Sequence, residues 1–393
     1  MLRPSPRRRG FPLRPRARLF GAHAALVAAF ALASCGRGQG GQVVFALSGP
    51  LQQDYGVSTL RGAELAVKEI NADRGINGQT LVLLPKDDGA DKEKAISIAA
   101  ELVKNASVVA LAGPVNSGTT IAAAPIYNGE ADSVSGRLPQ LATTATSPDV
   151  SKLGDWTYRV AGSDSANAVV LATMARQLAP QVAVMYTNDD YGRGLAASFR
   201  AALVKNGGRV AEYDPFSDDT PDFTPYLRRI QMRGVQMVFV AGLDSAAAMI
   251  IRQARGLGMQ ARFIGGDGLV PLVGKGPAFE GTLVGLLYHR DASERARAFA
   301  DAYRKAYGAD PDPFAAAAYD AVKLLAAAAR ANGPTREGIQ RYLHTLGQNG
   351  GAPAFQGATG DIRFDAHGDP LQKGFAVGVI TNGTIQLNRG GTR

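Results

Sequence analysis

The chain is 393 residues long, 46% apolar and 20% charged, with 43 Lys and Arg against 34 Asp and Glu and a formal net charge of +9. Seven of the arginines stand ahead of Cys35. Without them the balance is nearly neutral and no basic stripe with interleaved aromatics remains, which excludes a nucleic-acid footprint. A single cysteine excludes an internal disulfide, and a body of about 350 residues has room for two domains of ordinary size.

Taken in chain order, the N-terminus carries Arg3, Arg7, Arg8, Arg9, Arg14, Arg16 and Arg18 with no acid among them, followed by an apolar run over 19–33. This is the layout of a secretory signal peptide over residues 1–34. The run is too short for a stable membrane-spanning helix, which takes ~20 apolar residues. Leu32-Ala33-Ser34-Cys35-Gly36 resembles the bacterial lipobox, so Cys35 is expected to carry the lipid anchor of an exported protein. Residues 35–41 then form a flexible glycine-rich tether. The Arg8-Arg9 pair leaves general secretory and twin-arginine export both open. Gly36, Gly38 and Gly41 satisfy G-x-G-x-x-G, but they precede the first strand and so fail the context of a dinucleotide fingerprint.

From Gln42 onward, short β-branched runs alternate with longer amphipathic ones. The pattern predicts strands over 43–47, 81–84 and 108–112, with helices over 59–71, 92–104 and 118–127. After a connecting stretch the rhythm resumes: helix 166–178, strand 182–186, helix 195–206, strand 235–241, helix 245–257, strand 262–264. Helices over 294–307, 313–331 and 335–346 and a strand over 375–380 complete the chain. Two such series predict an α/β fold of two doubly wound parallel-sheet lobes joined by a multi-strand hinge. The expected division is 42–163 with 290–374 for the first lobe and 164–289 with 375–393 for the second. Small ligands bind such sheets in the crevice at the carboxyl ends of the strands.

Residues for catalysis are scarce. His289, His344 and His367 have neither metal-ligand spacing nor a nucleophile-elbow context, and there is no phosphate-binding loop, so no enzyme, no metal and no cofactor is expected. Asp87-Asp88 and Asp189-Asp190 follow strands, where aspartate commonly serves as a turn or cap residue. The informative loops are those at strand ends. Ser117 in Gly113-Pro114-Val115-Asn116-Ser117-Gly118-Thr119-Thr120 opens a helix, where a hydroxyl and free N–H groups seat an anion such as a carboxylate; capping uses the same geometry. The Thr143-Thr144-Ala145-Thr146-Ser147 cluster adds further donors. Asp267, with Gly266 and Gly268 on either side, offers a carboxylate to an ammonium group.

Taken together, these loops resemble the type I periplasmic binding proteins of the Leu/Ile/Val-binding kind, the substrate receptors of ABC importers. The likeness runs through Ser48-Gly49-Pro50, Tyr55-Gly56, Glu69-Ile70-Asn71, Gly75-Ile76-Asn77-Gly78, Tyr191-Gly192, Asp222-Phe223-Thr224, Arg252-Gln253-Ala254-Arg255 and Tyr319-Asp320-Ala321. It implies that Ser117, Thr144, Ala145 and Thr146 hold the α-carboxylate of an amino acid. It implies that Asp267 meets the ammonium, that Tyr191 closes over the ligand from the second lobe, and that Tyr55 forms an aromatic wall. A second tyrosine expected from that lobe falls on Leu243. The resemblance also implies a lipid-anchored periplasmic monomer that delivers its ligand to the transmembrane subunits of an ABC permease. An amide, urea or other small polar solute on the same fold, or a lipoprotein that regulates envelope enzymes, is the alternative.

Overall fold

The computed structural model describes residues 41–130, 136–373 and 375–388. The expected signal peptide and Cys35 lie outside the described residues. Two sheets organise the body. The first is parallel throughout, in the order β2-β1-β3-β4-β5, formed by β1 (Gln42–Gly49), β2 (Thr80–Asp87), β3 (Val108–Ala112), β4 (Gln140–Ala142) and β5 (Thr157–Arg159). Its connections are α1 (Asp54–Ala72), α2 (Lys92–Lys104) and α3 (Ser117–Tyr127).

The second sheet has seven strands. β6 (Gln181–Thr187), β7 (Arg209–Phe216), β8 (Met237–Ala241), β9 (Arg262–Gly265) and β10 (Leu283–Leu286) run parallel, connected in part by α4 (Asp164–Leu178), α5 (Asp190–Lys205), α6 (Thr224–Met232) and α7 (Asp244–Gly256). α4 leads into β6 from the first half of the molecule. A late hairpin of β13 (Ala376–Thr381) and β14 (Thr384–Leu387) pairs antiparallel onto β10, making the sheet order β14-β13-β10-β9-β8-β6-β7. The α/β doubly wound expectation holds, with this antiparallel edge as its refinement.

The remaining helices are α8 (Glu294–Tyr307), α9 (Pro313–Asn332) and α10 (Arg336–Thr345), followed by the small hairpin of β11 (Phe355–Gly357) and β12 (Gly360–Ile362). α9 buries Ala317, Ala321, Leu324 and Leu325 in one core with Phe45 and Leu47 of β1 and Ala63 and Ile70 of α1. Alanines on α9 and Gly62 on α1 permit this approach: a Cβ at Gly62 would stand 2.1 Å from the Ala315 carbonyl oxygen. A stacked pair, Phe199 on α5 and Phe239 on β8, anchors the second sheet with ring centroids 3.7 Å apart. Among the described residues no helix is long and apolar enough to cross a membrane.

Candidate functional site

The carboxyl ends of both sheets converge on one cleft. β3 ends at Ala112, and the loop after it carries Val115 and Asn116 to the start of α3, whose first residue is Ser117. β4 leads to Thr144, β6 to Tyr191 in the first turn of α5, β8 to Leu243, and β9 to Asp267. These residues and Phe314, at the N-terminal end of α9, enclose a narrow cavity of about 20 Å³. Roomier clefts lie elsewhere. One of about 520 Å³ around Glu69, Tyr319 and Lys323 is a surface groove lined by ion pairs, as the Lys323–Glu69 contact at 2.7 Å shows.

Each side chain has a local reason for its position. Ser117 Oγ accepts a hydrogen bond from the Ser147 backbone N–H at 3.1 Å, and Thr144 Oγ1 donates to the Val115 carbonyl at 3.1 Å, so the two hydroxyl loops brace each other. Asp189 caps α5 by accepting from Gly192 N–H at 2.6 Å, which fixes Tyr191 in the first turn. The Tyr191 hydroxyl donates to Asp267 Oδ1 at 3.2 Å and accepts from the Gly268 N–H at 3.3 Å. The flanking glycines make room for that hydroxyl: a Cβ at Gly266 would stand 2.7 Å from it and one at Gly268 3.1 Å from it.

The electrostatics of the far pole are unusual. Burial pushes the Asp267 carboxyl up to about 6. Asp164, the first residue of α4, is fully buried nearby; burial first, and the Asp267 charge second, push it up to about 8. The Thr146 hydroxyl and the Asn167 amide beside it act the other way and favour its ionised form. Burial and the same two acids raise the Tyr191 hydroxyl well above its ordinary value. Among the residues lining the cavity, the Ser117 and Thr144 hydroxyls come from the first sheet and the desolvated Asp267 carboxyl from the second, a layout that suits a zwitterion.

Residues 43–384 match the periplasmic binding protein family along that whole length. The chain belongs to the periplasmic binding protein family. The Leu/Ile/Val-binding protein homolog 1 of Brucella suis is 31% identical over 335 residues, 82% of this chain and 85% of that one. A leucine binding protein of Thermotoga maritima superposes with a TM-score of 0.78 at 26% identity, over 88% of this chain and 97% of the other. An ABC transporter substrate-binding protein of Desulfitobacterium hafniense, solved in complex with Leu, superposes at 0.74 with 28% identity, over 88% and 99%.

Within this periplasmic binding protein the structure brings Ser117, Thr144, Tyr191 and Asp267 to one cavity, with Leu243 among its lining residues. Tyr55 stands one layer back, buried against Phe314 with ring centroids 5.1 Å apart and hydrogen-bonded to Asn116. Ala145 and Thr146 are buried behind Thr144, and the Ala145 carbonyl is taken by Arg159. Sequence reasoning missed Asp164, Asn116, Phe314 and Arg159. Arg159 is wholly buried on β5. Its Nε donates to Asp369 Oδ1 at 2.7 Å, its Nη1 to the carbonyls of Ala145 and Ser147 at 3.3 and 2.8 Å, and its Nη2 to Ser151 Oγ at 2.9 Å. It is the positioning residue of the hydroxyl loop. A lone arginine between Tyr158 and the apolar Val160-Ala161 was the signal available for it.

Lys92 at the start of α2 pairs with Asp190 at the start of α5 at 2.6 Å, linking a helix of the first sheet to one of the second. Asp87 and Asp88 are turn residues, as expected. Asp87 Oδ1 accepts from the Leu51 N–H at 2.9 Å, and Asp88 Oδ2 accepts from Ser48 Oγ at 2.9 Å. Among the described residues no three His, Cys, Asp or Glu side chains gather in a way that would hold a metal ion.

Proposed function

We propose that this protein is the extracytoplasmic solute receptor of an ABC importer and that it captures an α-amino acid between its lobes. The observation that carries the reading is the pairing of opposite chemistries in one cleft: Ser117, opening a helix without a side-chain cap, lines the same cavity as Asp267 and Tyr191 from the other sheet. A carboxylate on the first group and an ammonium on the second stabilise the closed arrangement, since each lobe supplies one pole. The relatives' names and the neighbour solved with Leu support an amino acid as the ligand class. The lobes divide at 42–163 with 290–374 and 164–289 with 375–393, and ligand binding shifts the hinge equilibrium toward the form that a permease recognises. The receptor works as a monomer without a cofactor, tethered to the membrane through a lipid on Cys35.

Thermal unfolding of the refolded protein against a panel of amino acids, amides and urea tests the ligand class. A cognate amino acid at ~100 times its Kd stabilises by about 2.7 kcal/mol. A shift with amides or urea and none with any amino acid contradicts the reading. For the anchor, Cys35→Ser is expected to move the protein from the membrane to the soluble envelope fraction; retention in the membrane contradicts lipidation.

Affinity is expected to depend on pH in one direction. The ligand ammonium needs Asp267 ionised, and that carboxyl titrates near 6. Affinity is therefore level from about pH 7 upward, about halved near 6, and approaches a tenfold fall per pH unit below that, as the carboxyl takes up its proton. Calorimetric titrations from neutral pH down to about 5 check this; affinity unchanged across the range contradicts it.

A further inference from the structure

Asn116 occupies the N-cap position of α3, where an asparagine side chain ordinarily accepts from the helix's first N–H groups. Here it makes no such bond. Its amide turns instead to Tyr55: Nδ2 donates to the Tyr55 hydroxyl at 3.1 Å, and the hydroxyl oxygen stands 3.5 Å from Oδ1, too long for a good bond. The consequence is double. The opening N–H groups of α3 are left without a side-chain cap, and a carboxamide with an underused acceptor lines the cavity beside Val115, Leu243 and Phe314. The Tyr55 hydroxyl, on a buried ring, likewise lacks a well-placed acceptor for its proton.

Resting on the amino-acid reading above, we infer that Asn116, held by Tyr55, is the specificity-determining residue for the ligand's side chain, and that the receptor selects α-amino acids whose side chain carries an uncharged hydrogen-bonding group over their aliphatic isosteres. An aliphatic side chain covers the Asn116 amide without satisfying it, whereas a hydroxyl or carboxamide completes its hydrogen bonding while Tyr55 holds the amide from behind.

The test is a calorimetric comparison of two isosteric pairs, threonine against valine and asparagine against leucine, on the whole protein after unfolding and refolding to strip bound ligand. The polar member of at least one pair is expected to bind about tenfold tighter than its isostere. Asn116→Leu is expected to erase or invert that ratio, and Tyr55→Phe to reduce it, while both variants keep the wild-type unfolding midpoint within a few degrees. Valine and leucine binding as tightly as their polar partners, or a ratio unchanged in both variants, overturns the inference and leaves the amino-acid reading standing. Binding of acetamide or an amine-free hydroxy acid with none of the four amino acids overturns both.

Discussion

Replacing Asp267 with asparagine is expected to weaken amino-acid binding by about 100-fold or more while leaving the fold at least as resistant to urea. The two halves of that expectation have one cause. Asp267 is buried and its carboxyl is raised to about 6, so the ionised form is held at a cost. Because the folded-state value exceeds the unfolded one, the folded protein binds the proton more tightly. Stability from this group therefore grows as pH falls through about 6 and is lost above it. At neutral pH the carboxylate destabilises the closed protein, and an asparagine of nearly the same shape removes that cost. With an ammonium opposite, the balance reverses. Truncating one partner of a buried, hydrogen-bonded charge pair costs about 2–5 kcal/mol, and ~3 kcal/mol is more than a hundredfold in Kd. Calorimetric titration and urea unfolding on the same preparation check both halves. Unchanged affinity removes Asp267 from the site, and a large drop in the urea midpoint makes its role structural.

Arg159→Met is expected to produce the largest loss of stability among single substitutions near the cleft, about 3–5 kcal/mol by urea unfolding. The guanidinium has no exposure to solvent and satisfies Asp369, Ser151 and the carbonyls of Ala145 and Ser147 at once. Methionine fills much of the volume but donates nothing, so the Ala145 carbonyl and part of the Asp369 carboxylate lose the guanidinium, while the Ser147 carbonyl keeps only the Val150 N–H at 3.1 Å. Asp369 keeps one bond, accepted from Ser151 Oγ at 2.7 Å, which sets the upper limit. The loop that carries Thr144 is then free to move away from Ser117, so affinity falls together with stability. A loss below about 1 kcal/mol contradicts the assignment of Arg159 as the residue that holds this loop.

The parts of the site legible in the sequence are those announced by a strand followed by glycine. Ser117, Tyr191 and Asp267 each sit a few residues beyond a β-branched run, next to Gly118, Gly192, Gly266 or Gly268, and the fold needs only its topology to bring them together. The connecting stretch was opaque for a physical reason: β4 and β5 are three residues each and buried on every side, too short to display a period of two. Arg159 was hidden with them. β7 also escaped prediction, because its Glu212 and Asp214 read as polar surface; in the structure both pair with Arg229 on the neighbouring α6. Asp164 was masked by its setting, since Ser163-Asp164-Ser165 has the composition of a helix start, and Ser163 does cap α4. Only burial beside Asp267 distinguishes it from a capping acid. Tyr55 shows the opposite case, a residue whose neighbourhood was clear from the chain but whose ring stands behind Phe314 because α9 returns from the far end of the sequence.

The central claim is that a free ammonium and a free carboxylate are gripped at opposite poles of one cavity. Titration of the cognate amino acid beside its N-acetyl and methyl-ester derivatives measures this most directly. Binding by the free amino acid alone, with each derivative weakened by about 100-fold or more, is the predicted result. Equal binding of either derivative contradicts it, because the pole assigned to that group would then be gripping nothing.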